Sequence, residues 1–284
     1  MINKKVIKLF STAILYVNTI HFAVGQNKES VTDKYITSAD VKEKSGDYKG
    51  AINDFSKAIE IDILNETAYL HRGLCYFIIN QLESAYKDLT KAIQLNPYDF
   101  DAYHGRANVL ISQKKIGEAL NDFQSAININ SQFADAYYNR GYLYMQLDSV
   151  DLAFKDINKT ISLSNENIDA DAYYTRGLLW EKKQDLKKAI EDFDVVTRND
   201  EKYFDAYYER GICKKDLEIY EAAISDFNYL LINDYFNKIE VYKYISYCYC
   251  KLNDTSQCCK YLQLLFDMKY NNGDLMDYYK ENCK

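Results

Sequence analysis

Two series of charged side chains recur together along this 284-residue chain. Arginine stands at Arg72, Arg106, Arg140, Arg176 and Arg210, and aspartate at Asp54, Asp88, Asp122, Asp156, Asp192 and Asp226. A guanidinium facing a carboxylate across two helices forms a fork-shaped, charge-assisted pair. Because the two types recur as a set, they read as a structural ladder rather than a row of Arg gripping a ligand. Spacing leaves the register open: each Arg meets the Asp of its own repeat or of the one before, leaving Asp54 or Asp226 spare.

Other reactive residue types are sparse. Of the three His, two lie beyond the first 25 residues, His71 and His104, without metal-type spacing between them. No HExxH, GxSxG or phosphate-cradling Gly loop occurs, so neither catalytic residues, nor a metal, nor a cofactor is expected. Of the seven Cys, Cys75, Cys213 and Cys248 share one register position and read as inert buried thiols. Cys248, Cys250, Cys258, Cys259 and Cys283 crowd towards the carboxyl end without the CxxC spacing of zinc sites. They point instead to a disulfide joining Cys283 to Cys258 or Cys259, two residues about 100° apart around one helix. Seven is odd, so at least one thiol stays free or pairs between chains.

The elements that carry these residues repeat. DAYHGRANVLISQ begins at Asp101, DAYYNRGYLYMQL at Asp135, DAYYTRGLLWEKK at Asp171 and DAYYERGICKKDL at Asp205. The leading Tyr of each copy falls at Tyr35, Tyr69, Tyr103, Tyr137, Tyr173, Tyr207 and Tyr242, in steps of 34, 34, 34, 36, 34 and 35. Sixteen residues later come Ala51, Ala85, Ala119, Ala153, Ala189, Ala223 and Cys258, each followed at three and four residues by further apolar positions. That spacing predicts two helices per repeat, broken midway by stretches such as SGDY at 45–48.

Over residues 32–268 the sequence resembles the tetratricopeptide repeat family. The family pattern is an aromatic at position 4, Gly at 8, Tyr at 11, Ala at 20, an aromatic at 24, Ala at 27 and Pro at 32. The fourth repeat carries Tyr137, Gly141, Tyr144 and Ala153, and the second Tyr69, Gly73, Tyr76, Ala85, Ala92 and Pro97. Departures include Ala107 for Gly, a two-residue insertion at Ile168 and Asp169, and Ile245 with Tyr261 where other repeats hold Arg and Asp. The resemblance implies an all-α, right-handed α-solenoid of about seven repeats, near 32–65, 66–99, 100–133, 134–167, 170–203, 204–237 and 239–268. A C-terminal cap helix over 269–284 follows. One helix pair cannot bury its apolar face alone, so repeats stack, and Gly73, Gly141, Gly177 and Gly211 admit the close approach of paired helices.

The family binds partners in a concave groove lined by positions 2, 5, 9, 12 and 13. Here the groove residues are His104, Asn108, Asp135, Tyr138, Tyr142, Asp171, Tyr174 and Tyr208. The Tyr row suits a peptide, offering wide contact with few rotors and a hydroxyl to orient it. Capping of the helices is a second role open to the Asp series. The carboxylate clamp of this family is excluded: Asn108 and Asn139 fit, but His104, Asp171 and Thr175 replace its basic residues.

Formal charge is −7, which argues against nucleic acid as a partner. Lys4, Lys5 and Lys8, an apolar run to Gly25, and small residues before Gln26 read as a signal peptide over 1–25 with a linker over 26–31. Its removal takes the charge to −10 and leaves no stable membrane insertion. The expectation is therefore an exported, periplasmic or secreted, non-catalytic scaffold or adaptor with a protein or peptide partner, similar to short signal-bearing tetratricopeptide proteins of bacterial envelopes. The alternative is a regulatory or substrate-presenting subunit of an envelope enzyme or secretion complex.

Overall fold

The computed structural model describes residues 31–164, 169–235, 237–270 and 279–283. The expected signal peptide, residues 26–30 of the linker, Ile168 of the insertion and residues 271–278 and 284 of the cap helix lie outside the described residues. Within them the chain is all-α, with no strand. The first unit of the chain ends at Ala136 and the second begins at Tyr137. The first holds α1 (31–44), α2 (Tyr48–Ile61), α3 (Glu66–Ile78), α4 (Leu82–Leu95), α5 (Phe100–Ser112) and α6 (Ile116–Ile129). The boundary falls in the first turn of α7 (Ala134–Gln146). The second unit continues with α8 (Val150–Leu163), α9 (Ala170–Lys182), α10 (Leu186–Asn199) and α11 (Phe204–Asp216). It closes with α12 (Tyr220–Ile232), α13 (Lys238–Lys251) and α14 (Thr255–Asp267), and residues 279–282 are also helical.

Helices pair because one local turn recurs. The fifteenth residue of each repeat takes a left-handed backbone: Gly46 at φ 82°, then Asn80, Lys114, Asp148, Gln184, Glu218 and Asn253 at 56–62°. Six repeats thus accept a conformation that costs a residue with a Cβ about 1–2 kcal/mol. The turn repays it by satisfying the helix end, as where Gln81 N–H donates to the Tyr76 carbonyl at 2.8 Å. At the opposite ends Asp47, Asn65, Asp99, Asp169, Asp185 and Asp254 cap their helices. The capping role open to Asp101 and Asp171 therefore belongs to Asp99 and Asp169, two residues earlier. Asp101, Asp135, Asp171 and Asp205 sit in first turns, where the helix dipole favours them.

The second helix of each pair supplies the core. Ala51, Phe55 and Ala58 on α2 are fully buried, as are Ala85, Leu89 and Ala92, Ala119, Phe123 and Ala126, and Ala189, Phe193 and Val196. Facing glycines make room for the large member. A Cβ on Gly73 would stand 2.9 Å from Leu89 Cγ, and one on Gly177 would stand 2.5 Å from a ring carbon of Phe193.

Each Arg bonds the Asp of its own repeat. Arg72 donates through Nε and Nη2 to Asp88 at 2.6 and 2.9 Å, and Arg106, Arg140, Arg176 and Arg210 hold Asp122, Asp156, Asp192 and Asp226 by the same fork. The remaining nitrogen, Nη1, reaches the second helix of the preceding repeat, at Ser56, Thr90, Asn158 and Asp194 from Arg72, Arg106, Arg176 and Arg210. The guanidinium also lies over the Tyr three residues before it, 5.0 Å from ring centre to Cζ in Arg176 on Tyr173 and Arg210 on Tyr207. Burial works against the charge on Arg72, Arg140 and Arg210, yet the facing Asp holds each pKa above the ordinary guanidinium value.

The ends of the series find substitutes. Asp54 is bonded by Ser38 at 2.6 Å and Lys42 at 2.5 Å. Burial opposes its charge, but those two bonds keep its carboxyl below the usual range. In the seventh repeat Ile245 is fully buried and the Tyr261 hydroxyl donates to Asn228 at 3.3 Å. Two disulfides fasten this end: Cys259–Cys283, with Cα atoms 5.3 Å apart, and Cys250–Cys258 at 5.1 Å. Cys258 faces the core and reaches α13, whereas Cys259 points aside, towards the end of the chain. Cys75, Cys213 and Cys248 are free and buried.

Arg140→Ala should lower stability in urea melts by about 3–5 kcal/mol, because it strands the nearly inaccessible Asp156. Adding Asp156→Ala should recover part of that loss, and adding Asp122→Ala should recover none. A cost for Arg140→Ala under about 0.5 kcal/mol would refute the ladder. Opening the bridge with Cys283→Ser should cost up to about 3 kcal/mol through loop closure and lower hydrogen-exchange protection in α14 first. A Cys283 found free by non-reducing mass mapping would overturn this.

Candidate functional site

The first helices of the second unit, α7, α9, α11 and α13, present one connected aromatic face. Tyr138 on α7 brings its hydroxyl to 3.5 Å from Thr175 Oγ1 on α9. Tyr174 on α9 packs against Tyr203 with centroids 5.1 Å apart and against Phe193 at 5.7 Å. Tyr208 on α11 meets Tyr235 at 5.8 Å and Tyr244 of α13 at 6.0 Å. Tyr142 stacks beside Tyr138 at 6.3 Å and stays 41% exposed. The expected row thus divides: Tyr142 keeps open surface, while Tyr138, Tyr174 and Tyr208 are half-buried, and Tyr138 and Tyr208 also reach the next repeat at Thr175 and Tyr244.

Acids line the same face. Asp171 accepts from the Tyr203 hydroxyl at 2.8 Å and Asp205 from that of Tyr235 at 3.2 Å. Between them stand Glu181 on α9 and Glu209 on α11, both half-buried. Burial raises the pKa of Glu181, though the Cys213 thiol donates to it at 3.0 Å. Burial, then the fields of Glu181 and Asp205, push Glu209 up to about 7. Neither carboxylate has an ion-pair partner among the described residues. Burial and the surrounding acids also push the phenols of Tyr174 and Tyr208 upward, so both remain neutral donors. The face can therefore accept a cation and donate to carbonyls.

Glu181 and Glu209 were missed from sequence. Their signal was register: they are the twelfth residue of one repeat and the sixth of the next, which adjacent first helices bring together. Among residues expected in the groove, His104 in the first unit is a packing residue. Its ring lies 5.8 Å from Phe123 and 5.0 Å from Phe133, and burial lowers its pKa against the pull of Asp135. Asn108 is half-buried and Asp135 exposed in the first turn of α7. No described helix is long and apolar enough to cross a membrane.

Family models described as "Tetratricopeptide repeat" match residues 35–62, 66–99 and 134–167, and one described as "TPR repeat" matches 107–148. Among solved structures, MamA protein is 29% identical, with a TM-score of 0.52, covering 61% of this chain and 94% of that one. YrrB, described as a TPR protein with an unusual peptide-binding site, is 27% identical at a TM-score of 0.55, covering 64% and 93%. The C-terminal part of a TPR repeat-containing protein from Cytophaga hutchinsonii shares the fold at a TM-score of 0.69 and 19% identity, covering 85% and 98%. No curated protein matches the chain.

The raised carboxyl of Glu209 has a stability consequence. Below its unfolded pKa, near 4.5, both states hold the proton and the group is neutral in its effect. From there up to about 7 the unfolded chain releases the proton and the folded chain keeps it, so stability falls as pH rises. Glu209→Gln should therefore leave the Tm unchanged at pH 4 and raise it at pH 8, by about 2–4 °C for each kcal/mol regained. Equal Tm values for both proteins at pH 8 would contradict the burial of an unpaired carboxylate.

Proposed function

Because this chain belongs to the tetratricopeptide repeat family, we propose that it is an exported, non-catalytic interaction scaffold that binds a Lys- or Arg-bearing segment of a partner protein. The observation that carries the reading is the Glu181–Glu209 pair, without a counter-ion among the described residues, set within a wall of tyrosines. A partner ammonium or guanidinium supplies the missing charge, and its flanking chain packs on Tyr138 and Tyr142. Likeness to YrrB, itself described as having a peptide-binding site, supports a peptide as occupant. Export is supported by the Lys-led apolar run of the first 25 residues and by two disulfides, which persist in oxidising compartments.

Fluorescence anisotropy with unstructured peptides that differ only in Lys, Gln or Glu at the central positions tests the reading. The Lys series should bind best, and Glu209→Gln should weaken it about 5–30-fold, equivalent to 1–2 kcal/mol. Tyr142→Ala should weaken every series while leaving the Tm within about 2 °C, since that ring is open to solvent. Equal binding of the Lys and Glu peptides would sink the proposal.

A further inference from the structure

The geometry points to a divalent-cation site of the zinc class in the first unit, formed by Asp40, Glu43 and His71. Asp40 and Glu43 stand three residues apart on α1, so they share one helix face. His71 comes across from α3, with Nδ1 3.2 Å from Glu43 Oε2. One ligand atom from each of the three lies within 4.8 Å of the others, and all three residues are half-buried. They border an open pocket of about 430 Å³ that Lys44, Tyr48 and Ile78 also line.

Three features set this group apart from a chance meeting of acids. It draws on two helices and includes an imidazole, a donor that magnesium and calcium rarely take and that zinc favours. The His71 ring is held flat against Phe55, with centroids 5.7 Å apart and planes 19° from parallel, which limits its rotation. A Glu43–His71 pair alone leaves Asp40 unexplained: its carboxylate accepts no hydrogen bond from any described residue. Lys44, four residues after Asp40, lines the same pocket but forms no ion pair with Asp40 or Glu43, and Lys42 is committed to Asp54. Two carboxylates and a neutral imidazole offer a dication three donors and its full charge, with water completing a four-coordinate shell. Bonds of about 2.0–2.2 Å place tetrahedral ligand atoms about 3.3 Å apart, so binding draws the trio inward through side-chain rotation on fixed helices. This site is independent of the peptide face of the second unit.

Calorimetric titration of the chelator-treated full chain with zinc chloride tests the assignment. One equivalent should bind, and His71→Ala, Glu43→Gln and Asp40→Asn should each weaken it at least tenfold while the far-UV circular dichroism stays unchanged. Asp40→Asn keeps the size of a side chain with no protein partner, so it reports on binding even if His71→Ala disturbs packing on Phe55. Absence of saturable binding up to about 1 mM zinc, or affinity that survives Glu43→Gln and Asp40→Asn, would overturn the proposal. So would binding lost only in Cys75→Ser, which would move the ion to the thiol one turn along α3 from His71.

Discussion

The guanidinium fork is the contact on which the remaining architecture depends. A repeat built of two helices has two surfaces to secure, one between its own helices and one against the repeat before it. Apolar side chains such as Phe55 and Phe193 fill the first but fix no register by themselves, because dispersion and burial are non-directional. Arg72 is directional at both. Its Nε and Nη2 lock α3 to Asp88 on α4, and Nη1 ties the same helix to Ser56 on α2. One planar group therefore sets the spacing within a repeat and the step to its predecessor.

Such a device leaves charged groups deep in the fold, and each must be answered. Arg140 and Asp156 are 8% and 2% exposed, so an unanswered member would be costly. Where the series begins, Lys42 and Ser38 take over the guanidinium's work on Asp54. Where it stops, the Arg and Asp disappear together, and Ile245 and Tyr261 turn the site apolar with one phenol hydrogen bond remaining. The disulfides fasten that same pair of helices, Cys250–Cys258 joining α13 to α14 and Cys259–Cys283 tying α14 to the segment 279–283.

With the second helices anchored this way, the first helices are free to specialise. Tyrosine serves both ends there. Tyr174 packs on the core of its own repeat and Tyr208 reaches Tyr244 of the next, while their raised phenols remain donors beside Glu181, Glu209 and Asp205. The acids that make the face attractive to a cation also make it a place of stored repulsion, which a bound cation would relieve.

Fold class followed from the sequence, because helical periodicity and a step near 34 residues are local properties repeated seven times. So did the small residues, since Gly73 and Gly177 recur opposite large core positions. What stayed hidden depended on distance between turns of different helices. Whether Arg72 meets Asp88 or Asp54 turns on how two helices lean, which no count of residues supplies. His104 shares its register with Tyr138, yet the rings of Phe123 and Phe133 make it a packing residue. His71, which lacks any metal-type spacing to His104, joins Asp40 and Glu43 only because α1 and α3 lie side by side. Periodicity along one chain can be read residue by residue; proximity between side chains separated by a whole repeat exists only once the helices have packed.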